Sequence, residues 1–128
     1  MEFYIGTPSK YSKQYMLATN VPTTLPKGSY FAIVRSGTDI VASGIAEFVY
    51  NGYTLRGIEV HPDHRGKGIG TMLVTRMLAY IKPKRREIRL YVDPTNAPAI
   101  HVYTRLGFKK RKEKTAFGDK YVHTPSVE

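Results

Sequence analysis

Thirteen consecutive residues, Ile58 to Gly70 (I-E-V-H-P-D-H-R-G-K-G-I-G), carry the densest chemistry in the chain. They run from an alternating apolar stretch, through a proline, into Arg65-Gly66-Lys67-Gly68-Ile69-Gly70 and straight on into a segment of helical period. A glycine-rich turn feeding a helix leaves the first backbone N–H groups of that helix unpaired, and the helix dipole adds partial positive charge there. Arg65 and Lys67 add full charges. This is the physics of a pyrophosphate cradle. Two common cradles do not fit. A P-loop needs Ser or Thr after its lysine, whereas Gly68 follows Lys67, and no first glycine stands at the required spacing. A dinucleotide fingerprint needs G-x-G-x-x-G after the first strand of a βαβ unit; here the spacing is G-x-G-x-G after an antiparallel run.

A second constellation lies downstream, Asn96-Ala97-Pro98-Ala99-Ile100-His101-Val102-Tyr103-Thr104-Arg105-Leu106-Gly107-Phe108. Asn96 and Tyr103 are almost two helical turns apart, so they share a face, with Ile100 between them and Leu106 continuing it. On such a face a tyrosine is ordinarily a core aromatic, and Asn96 an N-cap.

Taken together these segments resemble two signatures of the GNAT N-acetyltransferase superfamily: R-x-x-G-x-G after a V-x-P strand end, and N-x-x-A-x-x-x-Y-x-x-x-G-F. The resemblance covers residues 54 to 108, about half of the chain. It implies acetyl-CoA as co-substrate, an amine acceptor (on a protein, a peptide or a small molecule), and no metal. Ile58, Val60, Arg65, Gly66, Lys67, Gly68, Ile69, Gly70, Thr71, Asn96 and Tyr103 match positions that hold the cofactor. Asn96 matches a contact to the pantetheine arm, and Tyr103 the hydroxyl that protonates the departing thiolate. A backbone N–H near Val60 would polarise the thioester carbonyl, and pantetheine would enter between two splayed parallel strands. For the base that deprotonates the acceptor the resemblance points to the places held by Thr54 and Tyr91, neither a strong base at neutral pH. These two are acceptor-site candidates. Glu59 and Glu47 are the nearby carboxylates, and ordered water or bulk solvent is an equal alternative.

The elements that position these residues are legible in outline. Ser29–Val34, Ile40–Tyr50 and Tyr53–His61 read as an antiparallel meander, with Asn51-Gly52 as its strongest turn dipeptide. Ile69, Met72, Leu73, Met77, Tyr80 and Ile81 give a helix from Gly68 to Lys82, stopped by Pro83. Ile88–Val92 is a strand, Ala97–Leu106 a helix, and 108–114 and 120–123 closing strands. Met1–Ile5 reads as a short strand and Ser9–Ala18 as a helix. The expectation is a single α/β domain over residues 1–128, a mixed sheet of GNAT type. An antiparallel meander is followed by a parallel pair, Tyr53–His61 and Ile88–Val92, joined by a crossover helix.

Composition bounds the rest. The 128 residues include no cysteine, which excludes disulfides, thiolate zinc sites and cysteine nucleophiles. His61, Asp63 and His64 have no fourth ligand nearby, so no metal is expected. No apolar run approaches membrane-spanning length and no signal pattern opens the sequence, so the expected setting is cytoplasmic, away from membranes, as monomer or homodimer. The formal charge is +10, concentrated between Lys82 and Lys114, where eleven Lys and Arg face Glu87, Asp93 and Glu113. Some of that charge suits CoA phosphates; an acidic protein acceptor or, less well, nucleic acid would use the remainder. A non-catalytic acyl-CoA sensor and a basic nucleic-acid module are the competing readings. The resemblance implies a two-helix lid where residues 8–28 stand, and this segment is short for it, which favours an open groove suited to a peptide or protein lysine or N-terminus.

Overall fold

The computed structural model describes residues 1–124. A seven-stranded sheet is built from β1 (Glu2–Gly6), β2 (Tyr30–Ser36), β3 (Asp39–Val49), β4 (Gly52–Val60), β5 (Ile88–Val92), β6 (Lys109–Thr115) and β7 (Gly118–His123), with helices α1 (Ile69–Ile81) and α2 (Ala97–Arg105). The order across the sheet is β1-β2-β3-β4-β5-β7-β6. All neighbours are antiparallel except β4 and β5. The expected mixed sheet, meander and crossover helix are therefore present.

α1 forms because apolar residues recur every three or four positions. Ile69, Leu73, Val74, Met77, Leu78 and Ile81 are buried against Ala32, Val34, Ala42 and Leu55 of the sheet and against Ile88, Leu90 and Val92 of β5. Each such side chain contributes about 1.5–3 kcal/mol on burial. Tyr80, counted in the apolar stripe, is instead half exposed and meets Tyr30 edge to face. On the opposite sheet face a second cluster joins Phe31, Ile33 and Ile45 to Met16, Val21 and Leu25 of the N-terminal segment.

That segment corrects one expectation. Ser9–Ala18 is not a helix but two single 3-10 turns, Pro8–Lys10 and Lys13–Tyr15, separated by extended backbone at Tyr11 and Ser12. The rings of Tyr11 and Tyr15 both pack on Phe31, at 5.6 and 6.4 Å. The Tyr11 hydroxyl donates to the Pro22 carbonyl and the Leu17 N–H to the Ser43 hydroxyl, so tertiary partners replace the helical ladder. The turn between β3 and β4 is also displaced by one residue. Tyr50 and Asn51, both at positive φ, are its central pair, and Gly52 opens the next strand.

The feature that organises the site is where pairing stops. β4 and β5 are in parallel register at Tyr53–Ile88 and Thr54–Arg89 and nowhere beyond. A bulge in β4 adds to the divergence: three steps from Arg56 to Glu59 oppose two from Ile45 to Ser43.

Candidate active site

The opening between β4 and β5 is one wall of a cleft of about 690 Å³. Ile58, Glu59 and Val60 line it from β4, and His64, Arg65, Gly66 and Gly68 from the loop. Ile69, Gly70, Thr71 and Val74 come from α1, and Asn96, Pro98, Ala99, Val102 and Tyr103 from α2. The two segments singled out in the sequence thus meet across one space.

At the loop end, Gly66 and Gly68 lie at φ +77° and +76°, and a Cβ on either would meet nothing within 4 Å. Conformation, not crowding, therefore asks for glycine here. Gly68 caps α1 without a side-chain bond, and the first turn holds no acid. The first intrahelical bond runs from the Met72 N–H to the Gly68 carbonyl, at 3.0 Å. The N–H groups of Ile69, Gly70 and Thr71 precede it, at the positive end of the dipole, and all three residues line the cleft. This donor set fits a phosphate. Arg65 is exposed and folds back on the end of β4: its Nε donates to the Val60 carbonyl at 3.1 Å and its Nη2 to Glu59 Oε1 at 2.7 Å.

Strand alternation fixes one more donor. The His61 N–H donates to the Val41 carbonyl on β3. Successive N–H groups of a strand point to opposite sides, so the Val60 N–H faces the separated side, toward the cleft.

At the far end, α2 begins with Asn96, whose side-chain oxygen accepts the Ala99 N–H at 3.3 Å, and with Pro98 in the first turn. Its C-terminus is a Schellman motif. The Phe108 N–H donates to the Tyr103 carbonyl and the Gly107 N–H to the Thr104 carbonyl, with Gly107 at φ +98°. The apolar contact that accompanies this motif is the Tyr103–Phe108 ring pair, 5.9 Å apart edge to face, with Phe108 buried. The Gly-Phe that ends the second constellation therefore sets the position of Tyr103. Burial pushes the Tyr103 phenol above its ordinary value, so it keeps its proton throughout the neutral range. Gly107→Ala would place a Cβ 3.2 Å from the His123 ring at that positive φ. We expect a loss of about 1–2 kcal/mol, read by denaturant unfolding, because an L-residue resists the left-handed region.

The remaining candidates lie elsewhere. Lys67 is exposed and outside the lining of the cleft. The Thr54 hydroxyl accepts from Arg89 at 3.0 Å, at the point where β4 and β5 still pair. Tyr91, like Arg89, alternates with Ile88, Leu90 and Val92 and so projects from the face away from α1; its ring meets Phe117 at 6.0 Å. Glu47 stands opposite Thr54 and is 3.5 Å from Arg56. His61 Nδ1 accepts the Asp63 N–H, capping a 3-10 turn. Among the described residues no three His, Asp or Glu side chains group as metal ligands, and no helix is long and apolar enough to cross a membrane. Two residues hold places that the sequence analysis did not give them. His64 lines the cleft with a buried, unpartnered Nδ1. Arg89 is buried at the apex, and its signal was the turn it would have to reach.

A mixed sheet opened between its one parallel pair, with unpaired helix N–H groups at one end of the opening and a half-buried phenol at the other, defines the acyl-CoA transferase class of fold. Residues 2–108 match the acetyltransferase (GNAT) family, and the chain belongs to it. Streptothricin acetyltransferase of Streptomyces lavendulae is 39% identical over 80 residues, 59% of this chain and 42% of that protein. The match thus spans less than half the length of that relative. The ribosomal-protein-S18-alanine N-acetyltransferase of Escherichia coli superposes with a TM-score of 0.67 at 20% identity, covering 94% of this chain and 91% of that one. PaiA N-acetyltransferase of Thermoplasma acidophilum, solved with coenzyme A, gives 0.62 at 24% identity over 75% and 60%.

Proposed function

We propose that the chain moves an acetyl group from acetyl-CoA directly to an amine. The observation that carries this is the cleft itself: phosphate-type donors, an unpaired strand edge and a protonated phenol lie along one path. The N–H groups of Ile69, Gly70 and Thr71, with Arg65, are assigned to the pyrophosphate, and Asn96 to the arm that follows. The Val60 N–H is assigned to the thioester carbonyl, where it would stabilise the oxyanion as the amine nitrogen bonds to carbon. The carbon–sulfur bond then breaks and Tyr103 gives its proton to the leaving sulfur. With no cysteine in the sequence, no acyl-cysteine intermediate intervenes. Arg65 cannot hold Glu59 and a phosphate at full strength together. We assign its turn toward the phosphate as the event that frees the Glu59 carboxylate to take the proton that the amine nitrogen sheds, with solvent as the alternative proton acceptor.

The relative that acetylates streptothricin supports an amine acceptor for this chain. CoA at about a hundred times its dissociation constant should add about 2.7 kcal/mol of stability, raising the midpoint of thermal unfolding by several degrees. Free thiol should then appear from acetyl-CoA when pooled amines are supplied. A stability gain with no thiol release from any amine would make the chain a sensor; no gain at all would remove the reading.

A further inference from the structure

The cations that the cleft does not use are concentrated on β6, the last strand of the sheet. Lys109, Lys110, Arg111, Lys112 and Lys114 are exposed there, with Glu113 the one acid between them. Lys110 pairs with Asp119 on β7 at 3.4 Å; Lys109, Arg111, Lys112 and Lys114 have no ion-pair partner among the described residues. β6 carries two extra residues against β7 between Lys110 and Lys114. The irregularity opens a hollow of about 290 Å³ lined by Lys110, Arg111, Lys112, Lys114 and Asp119. A lysine and a bulge suffice to guard a sheet edge against strand addition. Guarding does not account for five cations in six positions, four of them around a hollow whose one carboxylate, Asp119, is paired with Lys110; the charges of Arg111, Lys112 and Lys114 stay uncompensated there and favour a further anion.

The strand leads to the open end of the cleft. β7 runs antiparallel to β5, with Asp119 opposite Val92, so the β6–β7 turn lies at the end of β5 from which Asn96 and α2 follow. Phe117 on that turn is exposed and touches Tyr91, on the sheet face away from α1. Cations, an exposed aromatic and the end of the opened strand pair thus lie around the same end of the sheet.

We propose that this surface selects the acceptor, and that the acceptor is a polypeptide segment with Asp and Glu residues beside its reactive amine. The inference rests on the acetyltransferase reading and names its substrate class. Carboxylates would lie along Arg111, Lys112 and Lys114, while Phe117 covers the residue next to the amine. Single-stranded nucleic acid is the poorer fit, because it uses aromatic platforms interleaved with the cations and β6 holds none.

The test compares two peptides with the same free N-terminal amine, one followed by acidic residues and the other by their amides. Thiol release gives kcat/KM, and fluorescence anisotropy of C-terminally labelled peptides gives binding without turnover. The acidic peptide should be favoured about tenfold at low salt, with the preference falling to near unity at about 0.5 M salt. A Lys112→Glu/Lys114→Glu double variant should lose the preference while its CoA-induced thermal shift, and so its cleft, is unchanged. Equal kcat/KM for both peptides, with small amines turned over, overturns this proposal and leaves the transferase intact. Binding that is specific and lost in the double variant, with no thiol from any acceptor, supports the surface and removes the transferase reading. A single-stranded RNA oligonucleotide that binds more tightly than the acidic peptide, through the same two lysines, overturns it in favour of nucleic acid.

Discussion

Tyr103→Phe should lower kcat about 10²- to 10³-fold while leaving the affinity for CoA and the thermal midpoint close to wild type. The magnitude is that of a lost general acid, a positioned proton donor being worth about 10²–10⁴ in rate. The selectivity follows from how the ring is held. Its contacts are apolar, the Phe108 edge and the core beneath α2, and phenylalanine keeps them. Only the hydroxyl is removed. The pH dependence has a definite sign. A general acid acts in its protonated form, and burial pushes the Tyr103 phenol above its ordinary value. The wild-type rate should therefore hold through the neutral range and fall on the alkaline side, as pH rises through that raised value; in the variant that limb should vanish. Stopped-flow thiol release measured against pH reads both quantities. Full activity in Tyr103→Phe would pass protonation of the thiolate to solvent while leaving the fold and the cradle untouched.

What could be read from the chain and what could not divides by the range of the interaction. α1, β5 and the first turn of α2 follow from local period, a proline and an asparagine cap, and the structure sets them within a residue or two of expectation. The two glycines of the loop and the Gly107-Phe108 pair were legible for the same reason, since their conformations are local. The N-terminal segment was not, because Tyr11 and Tyr15 are held by Phe31, a residue remote in sequence. Lys67 shows a related limit. Its charge was countable, but direction around a positive-φ turn is set by backbone geometry that composition does not carry. Glu59 is only a nearby carboxylate in the sequence; in the structure it ends the bulge at residues 56–59 and lines the cleft, where Arg65 meets it. Arg89 is the clearest failure. Although Ile88–Val92 looks buried as a strand, Arg89 counts in the sequence as one of the surface cations between Lys82 and Lys114. It is instead buried, because its partners come from a turn forty residues earlier.

Those partners make Arg89 the second site of large expected effect. Its Nε donates to Glu87 Oε1 at 3.1 Å, its Nη1 to the Val49 carbonyl and the Thr54 hydroxyl at 3.0 Å, and its Nη2 to the Tyr50 carbonyl at 3.3 Å. One guanidinium thus joins β5 to the β3–β4 turn and to β4 at Thr54, the last paired position before the strands diverge. Gly52 leaves room for it, since a Cβ there would lie 2.5 Å from Nη2. Arg89→Ala would strip two carbonyls and a hydroxyl of their donor at a site closed to water. Losing a buried charged partner of this kind costs about 3 kcal/mol, after allowing for rehydration of the half-exposed Glu87. For a domain of this size that is roughly a 10 °C fall in thermal midpoint. Arg89→Lys should recover less than half of it, because an ammonium lacks the planar fork that reaches four acceptors at once. The loss should also reach function. With the apex untied, β4 can slide against β5, and the Val60 N–H and the α2 face no longer hold a fixed separation. At temperatures where Arg89→Lys is still fully folded, thiol release should show a lower kcat with little change in the CoA-induced thermal shift, since the cradle at the start of α1 does not touch the apex. A variant as stable and as active as wild type would mean that the few main-chain bonds between β4 and β5 hold the opening by themselves.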